Sequence, residues 1–292
     1  MGDYTVIRTG AAAADLASRL RDGRFARIAV DIEGENNLHS YGIRVSLIQI
    51  FDGQRAWVID VLSLDSRASL AALLQESSWL KVMYDAGNDL LAFSHDLDLR
   101  VQPILDVAIA ANLLGKPGGL HALAPANRSR SAKDRLQKAN WMRRPLPPQM
   151  LEYAVSDVLG LPDIADQLLG ELARKGLLAE FLKKNWERQN APRSWNPLAN
   201  FGRIPGYQRL RAPQRHFARV LWYAREYYAQ AHDMAPEAVA SKPLLKKIVD
   251  EQPDAAVIVR MINEGRRGVP IAERDFQAQL TRAEKDAPAV DP

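Results

Sequence analysis

The segment Arg27-Ile-Ala-Val-Asp-Ile-Glu33 places two carboxylates, Asp31 and Glu33, two residues apart in an otherwise aliphatic run. Such a run reads as a buried strand. Residues i and i+2 of a strand share a face, so the two acids point one way while Val30 and Ile32 point the other. Two like charges on one face repel and destabilise the sheet unless something cationic lies between them. A divalent metal ion is the usual answer. The alternative is an exposed strand face on which both acids are simply solvated.

The chain has 292 residues, enough for one large domain or two ordinary ones. It contains no cysteine. That excludes disulfides, thiolate metal sites and a cysteine nucleophile, and it fits a reducing compartment. No apolar run approaches the length of a membrane span. The start, Met-Gly-Asp-Tyr-Thr-Val, lacks a basic-then-apolar signal pattern. The expectation is a cytoplasmic protein without a membrane partner.

Charge is unevenly placed. Residues 1–190 carry 23 basic and 23 acidic side chains, whereas residues 191–292 carry 16 and 12, so the net +4 lies entirely in the C-terminal third. From Arg193 to Arg225 there are seven arginines and no acid, mixed with Trp195, Phe201, Tyr207, Phe217, Trp222 and Tyr223. That mixture suits phosphate contact and base stacking. It suits equally an amphipathic helix with a solvated arginine face and an aromatic core face.

Hydrophobic periodicity predicts strands at 4–7, 28–33, 45–51, 55–60 and 80–84, with helices over 11–20, 69–75 and 88–97. Residues 104–114 begin extended and become helical. The short links joining 28–33, 45–51 and 55–60 suggest an antiparallel meander, with Asp52-Gly53 as a turn. Alternating strand and helix afterwards implies a mixed sheet with helices on its faces. Pro147-Pro148 opens a helix running to about Gly160, which Pro162 breaks or kinks, and a further helix reaches Lys175-Gly176. Residues around 126–132 read as a loop. Residues 191–211, rich in proline and glycine, read as a linker between an N-terminal domain (1–190) and a helical one (212–283), with a disordered tail at 284–292.

Two further acidic positions follow the first pair. Asp89 lies where the strand 80–84 gives way to a helix; an acid there also suits the helix N-terminus. Asp85, in the preceding loop, is its weaker rival. Tyr153 and Asp157, four residues apart, share one helical face. Taken singly each is a weak signal, but an acidic pair, then an acid at a strand–helix junction, then Tyr-x-x-x-Asp is a specific order.

This order resembles the DEDD superfamily of 3′-5′ exonucleases, in its tyrosine-containing subgroup, and the surrounding residues are similar to ribonuclease D and its relatives. The first motif is Asp31-Ile-Glu-Gly with Arg44-Val-Ser-Leu-Ile-Gln-Ile50, and the second is Asn88-Asp-Leu-Leu. Gln137-Lys-Ala-Asn-Trp141, Arg144-Pro-Leu and Gln149-Met-Leu-Glu-Tyr-Ala-Val-Ser-Asp157 lead into the third. The resemblance covers residues 25–190. Beyond it, residues 214–228 and Pro243-Leu-Leu-Lys-Lys look like the start of a helicase-and-RNase-D C-terminal (HRDC) domain, whose final turn pattern is blurred around Gly265 to Val269. Relatives commonly carry histidine where Tyr84 stands, which leaves local substrate contacts open.

The resemblance implies a ribonuclease-H-like α/β fold, a mixed sheet flanked by helices, followed by a small all-helical HRDC-like domain. It implies two-metal phosphodiester hydrolysis releasing nucleoside 5′-monophosphates from RNA with a free 3′ end, such as tRNA precursors. Four carboxylates select two Mg²⁺ or Mn²⁺ ions rather than zinc. Asp31 would bridge both ions, Glu33 and Asp157 would complete the site of the nucleophilic water, Asp89 would support the second ion, and Tyr153 would orient the water. His39, Arg143 and Arg144 are candidate substrate contacts, the arginines as part of a run from Arg128 to Arg144 with seven basic residues and one acid, Asp134. A solvated loop is the bland reading of that run. Trp141 either stacks on a base or packs in the core, and Asp106 reads as a helix cap. A proofreading-type DNA exonuclease and a catalytically silent RNA-binding scaffold remain the alternative functions.

Overall fold

The computed structural model describes residues 4–23, 25–76, 78–116, 118–123, 136–264 and 269–288. The loop expected near 126–132, the first part of the Arg128–Arg144 basic run, the glycine pattern near 265 and the end of the tail lie outside the described residues. The chain divides into two compact units, Met1–Glu35 with Ile43–Ser194 and Asn36–Gly42 with Trp195–Pro292. No helix among the described residues is long and apolar enough to cross a membrane.

The first unit is built on a six-stranded sheet. Its strands are β1 (Tyr4–Ile7), β2 (Arg27–Asn36), β3 (Ile43–Phe51), β4 (Ala56–Asp60), β5 (Leu80–Met83) and β6 (Ile104–Asp106), in the spatial order β1-β4-β3-β2-β5-β6. β2, β3 and β4 lie side by side as the short links predict, and β3 runs antiparallel to β4 with Ile48 opposite Ile59. The pairs β1–β4, β2–β5 and β5–β6 are parallel. Parallel neighbours need a crossover, and helices supply it.

These helices are α1 (Gly10–Asp22), α2 (Ala68–Leu74), α3 (Gly87–Leu97), α4 (Val107–Leu113), the short α5 (Leu120–Leu123), α6 (Pro148–Leu159), α7 (Leu161–Arg174) and α8 (Leu178–Asn190). Pro162 does not kink a continuous helix: α6 ends before Gly160, and Pro162 sits in the first turn of α7, where its missing N–H costs nothing. α8 is not signalled by the sequence pattern, because Phe181 is its one buried residue.

Because β2 is central and covered on both faces, Ile28, Ala29 and Val30 are fully buried. Ala29 packs with Ile164 and Leu168 of α7, while Leu47 and Val58 of the neighbouring strands pack with Met150, Ala154 and Val155 of α6. Gly34 permits an unusually close cross-strand approach: a Cβ there would lie 2.1 Å from the Arg44 carbonyl oxygen. A side chain at 34 would push β3 away directly beside Glu33.

The second unit is all-helical among its described residues, with α9 (Ala212–Ala231), α10 (Pro236–Val239), α11 (Lys242–Glu251), α12 (Ala255–Glu264) and α13 (Glu273–Asp286). Two sequence expectations need correction here. Residues 191–211 are not a bare linker: they form 3₁₀ turns at Pro197–Arg203 and Tyr207–Arg209, and Ile204, Tyr207 and Leu210 are buried in this unit's core. The proline and glycine content marks turns, but the apolar residues between them still need covering. Nor does order stop at 283, since α13 continues to Asp286 and Ala287 is buried. The connection Asn36–Gly42 belongs to this unit. Within it the Tyr41 ring meets Trp195 edge-on at 5.5 Å, and its N–H donates to Asp233 Oδ1 at 3.2 Å.

Lys81 on β5 is fully buried and, among the described residues, has no carboxylate hydrogen-bond partner. Its Nζ donates to the carbonyls of Glu76 and Gln102, the latter at 2.7 Å. Burial lowers its pKa to about 8 from the ordinary 10.5. Between those two values the unfolded chain holds more protons than the folded one, so raising the pH favours folding. The charged ammonium penalises the fold below pH 8, and the penalty is relieved as the pH rises toward 10.5. The expected contribution is about 1–2 kcal/mol after allowance for screening. In urea titrations, the stability of wild type relative to Lys81→Met should increase by that amount between pH 7 and pH 10.5. A difference that stays flat with pH would mean that Lys81 titrates in the fold as it does in the unfolded chain.

Candidate active site

Asp31, Glu33, Asp89, Tyr153 and Asp157 line one cleft of about 450 Å³ in the first unit. β2 delivers Asp31 and Glu33 on a common face, α3 carries Asp89 in its first turn, and α6 carries Tyr153 and Asp157 one turn apart. Asp31, Glu33 and Asp157 each offer a carboxylate oxygen within 4.8 Å of the others. That is close to the roughly 4 Å separating opposite oxygens around an ion bound at about 2.1 Å. The donor set is entirely hard oxygen, which matches Mg²⁺ or Mn²⁺ and not a soft metal.

The electrostatics make the same demand. Burial first, and then the charges of Asp31, Asp106 and Asp85, push the Asp89 carboxyl well above the usual carboxylate range. A cation in the cleft offsets that repulsion, so the residues fit a divalent metal. Tyr153 is likewise pushed up, by burial and then by the charges of Asp157 and Glu33, and it hydrogen-bonds to Asp157. Its hydroxyl is therefore neutral and holds its proton, whereas a tyrosinate base would need the opposite shift.

The turn that presents Asp89 is fixed from behind by Asp106. This fully buried carboxylate accepts the N–H of Asp85 at 2.9 Å, of Ala86 at 3.1 Å and of Ala108 at 3.0 Å. It thus caps α4, as the sequence suggests, and also holds the entry to α3, which has no side-chain cap of its own. Arg188 of α8 lies 3.5 Å from Asp106 and 3.0 Å from Asp85. Asn185, also on α8, accepts the Asp106 N–H and donates to the Ile104 carbonyl, both at 2.8 Å. Asp85, with φ 51°, lines the cleft but its carboxylate is turned to Arg188.

Other sequence candidates fall elsewhere. Arg144 grips Asp60 through Nε at 2.9 Å and Nη2 at 2.5 Å, and donates to the Ser46 hydroxyl and the Trp141 carbonyl. It fastens the chain before α6 to β3 and β4. Burial raises the Asp60 pKa, but the hydrogen bonds and charge of Arg144 outweigh it and hold that carboxyl low. Trp141 is packed in the core, 6.0 Å from the Tyr153 ring. Arg143 is exposed and does not line the cleft. His39 is exposed in the Asn36–Gly42 connection, which packs with the second unit. Asn88, Gln137 and Tyr84 do line the cleft. The sequence offered a signal for them only as neighbours of the acidic motifs.

Comparison with known proteins agrees with this geometry. A family model described as 3′-5′ exonuclease matches residues 4–173. The chain is 35% identical over 171 residues to ribonuclease D of Xanthomonas oryzae, covering 57% of this chain and 47% of that protein. It is 26% identical over 251 residues to ribonuclease D of Cronobacter turicensis, covering 85% and 67% respectively. The chain thus spans about half to two thirds of the length of these relatives. The crystal structure of Escherichia coli ribonuclease D, described as an exoribonuclease involved in structured RNA processing, superposes with a TM-score of 0.73 at 25% identity, covering 98% of this chain and 76% of that one. An acidic cleft built on one face of a central strand and a matching family model over more than half its length lead to one conclusion: the chain belongs to the 3′-5′ exonuclease family and, within it, resembles ribonuclease D.

Proposed function

We propose that this protein is a metal-dependent 3′-5′ exoribonuclease that shortens RNA from a free 3′ end and releases nucleoside 5′-monophosphates. The observation that carries the reading is the convergence of Asp31, Glu33 and Asp157 to within 4.8 Å, in a cleft shared with Asp89 and Tyr153. The RNA preference rests on its similarity to ribonuclease D proteins, and structured RNA such as tRNA precursors is the substrate class we infer. The absence of cysteine fits work in a reducing cytoplasm.

In this reading Asp31, Glu33 and Asp157 would hold one divalent ion, and Asp31 with Asp89 would hold a second. Bound there, the ions would lower the pKa of the attacking water and neutralise charge on the scissile phosphate. Water attacks the terminal phosphodiester, the bond to the penultimate 3′ oxygen breaks, and that oxygen leaves as a new 3′ hydroxyl. Tyr153 keeps its proton and orients the water through its hydroxyl while bonded to Asp157. The second unit, read as an HRDC-like domain from about residue 212, would add affinity for nucleic acid. His39 and Arg143 are surface contacts for the strand, and Arg144 acts through its grip on Asp60.

The deciding assay compares 3′-labelled and 3′-blocked RNA with the equivalent DNA, in Mg²⁺, Mn²⁺ or chelator. Release of 5′-monophosphates from unblocked RNA only, abolished by chelator, is expected. Faster loss from DNA would favour the proofreading-type alternative, and metal-independent binding without cleavage would favour the scaffold.

Asp31→Ala should leave the fold intact by circular dichroism, remove calorimetric Mn²⁺ binding and lower kcat/KM by about 10³-fold or more. Tyr153→Phe should bind metal normally and lower kcat by about 10- to 100-fold. Wild-type turnover in Tyr153→Phe at saturating metal would remove the orienting role. Asp106→Asn should weaken metal binding and turnover together by about 10-fold, with activity partly recovered at high Mn²⁺, because it loosens the turn bearing Asp89 without touching the ions. Unchanged metal affinity in a folded Asp106→Asn protein would contradict that positioning role.

A further inference from the structure

A second concave site lies in the first unit, beside α3 and the C-terminal end of α8. Its volume is about 280 Å³, and two arginines, Arg100 and Arg193, line it together with Ser94, Gln189 and Asn190. No carboxylate is among its lining residues. Arg193 is fixed by donating to the carbonyls of Gln189 and Ala191, both at 3.0 Å, and of Arg188. Arg100 donates to Asn190 Oδ1 at 2.9 Å, and the amide nitrogen of Asn190 is itself anchored on the Trp186 carbonyl at 2.9 Å.

Helix capping explains part of this arrangement. A cation at the C-terminus of α8 meets the negative end of the helix dipole, and Arg193 fills that role. Capping does not explain why Arg100, on a different segment and free to extend into water, is turned to the same cavity. Nor does it answer the like-charge cost: burial and the nearby charges of Arg188 and Arg100 disfavour the charged form of Arg193. Arg188 is balanced by Asp85 and Asp106, but the other two line the cavity with no acid among its described lining residues. Two arginines, one tied to the end of α8 by backbone carbonyls and the other by Asn190, line a concavity with no carboxylate among its lining residues, and the N–H groups they have left match the oxygens of a phosphate group.

We propose that this pocket is a phosphate-binding site, with Arg100 and Arg193 as its anion-binding residues. It is separate from the acidic cleft, although the two share α3: Asp89 faces the cleft, while Leu90 and Ser94 line the pocket. The phosphate comes either from the backbone of an RNA strand, an assignment that rests on the exoribonuclease reading, or from free phosphate in solution.

The test uses the full chain in EDTA, so that the cation-free carboxylates of the cleft repel anions. Inorganic phosphate is titrated at constant ionic strength and read by ³¹P line broadening and thermal shift. Saturable binding is expected in wild type and in Asp31→Ala, weakened at least fivefold in Arg100→Gln, whose exposed side chain can be changed without threatening the fold. Arg193→Gln should weaken it similarly; thermal melting separates lost capping from lost binding. A second arm measures 3′-blocked single-stranded RNA in EDTA and turnover with metal. If the strand supplies the phosphate, Arg100→Gln weakens RNA binding, reduces the salt slope by about one, and raises KM with kcat unchanged. If free phosphate is the ligand, the same variant loses phosphate binding while RNA affinity and KM stay as in wild type. Absence of saturable phosphate binding, or equal binding by wild type and Arg100→Gln, overturns the proposal whatever the outcome for the exonuclease reading.

Discussion

Repulsion between carboxylates gathered on one face of a central strand is the constraint around which the first unit is arranged. Oxygens of Asp31, Glu33 and Asp157 lie within 4.8 Å of one another, and Asp89 is close enough for Asp31 to raise its pKa. At an effective dielectric of about 20, unit charges at that separation oppose each other by roughly 3 kcal/mol per pair. A typical domain is stable by only about 5–15 kcal/mol. Such a cluster persists only where the backbone beneath it cannot relax. Here Ile28, Ala29 and Val30, buried on both faces of β2, supply that rigidity. The same rigidity that holds the acids close together makes them a preformed receptor for divalent cations.

Among the described residues of this unit, two arginines stand behind the acids and fasten the frame of the cleft. Arg144 is bound to Asp60 and Arg188 to Asp85 and Asp106. Each fastens a segment that carries cleft residues: Arg144 the approach to α6, Arg188 the turn into α3. An arginine inside the cleft would neutralise the carboxylates and compete with metal ions. Placed behind it, the charge of Arg144 and Arg188 stabilises the frame without occupying the cleft. Asp106 works in the same way from the negative side, as its oxygens are committed to three backbone N–H groups and so remain outside the cleft.

How much of this was legible along the chain depends on the range of the interaction. Asp31 and Glu33 stand out because a strand repeats every two residues, and Tyr153 and Asp157 because a helix returns to the same face after four. The choice between Asp89 and Asp85 is less sharp, since both lie in the cleft wall; Arg188, about 100 residues away, decides it by taking Asp85. α8 left little periodic signal because only Phe181 is buried, yet it supplies Asn185 and Arg188 to the scaffold of the site. Residues 191–211 have the composition of a linker, and their contribution of Ile204, Tyr207 and Leu210 to a core emerges only when α9 is placed against them. The last helix hides for a similar reason: Phe276 and Ala283 are its two buried residues, and Phe276 meets the Tyr228 ring 5.7 Å away.

The sequence by itself determined the chemistry: hard oxygen donors at strand and helix spacings, no thiolate anywhere, and a motif order that belongs to 3′-5′ exonucleases. Local backbone geometry repeats over two to four residues, so the faces on which those donors lie are written into the chain. Only the tertiary structure decided which of them meet, what holds them in place, and which arginines serve the frame and which line a pocket of their own. Those outcomes depend on contacts between residues some 80 to 100 positions apart, such as Arg144 with Asp60 and Arg188 with Asp106. Contacts at that range are set by packing of the whole core and leave no period in the sequence.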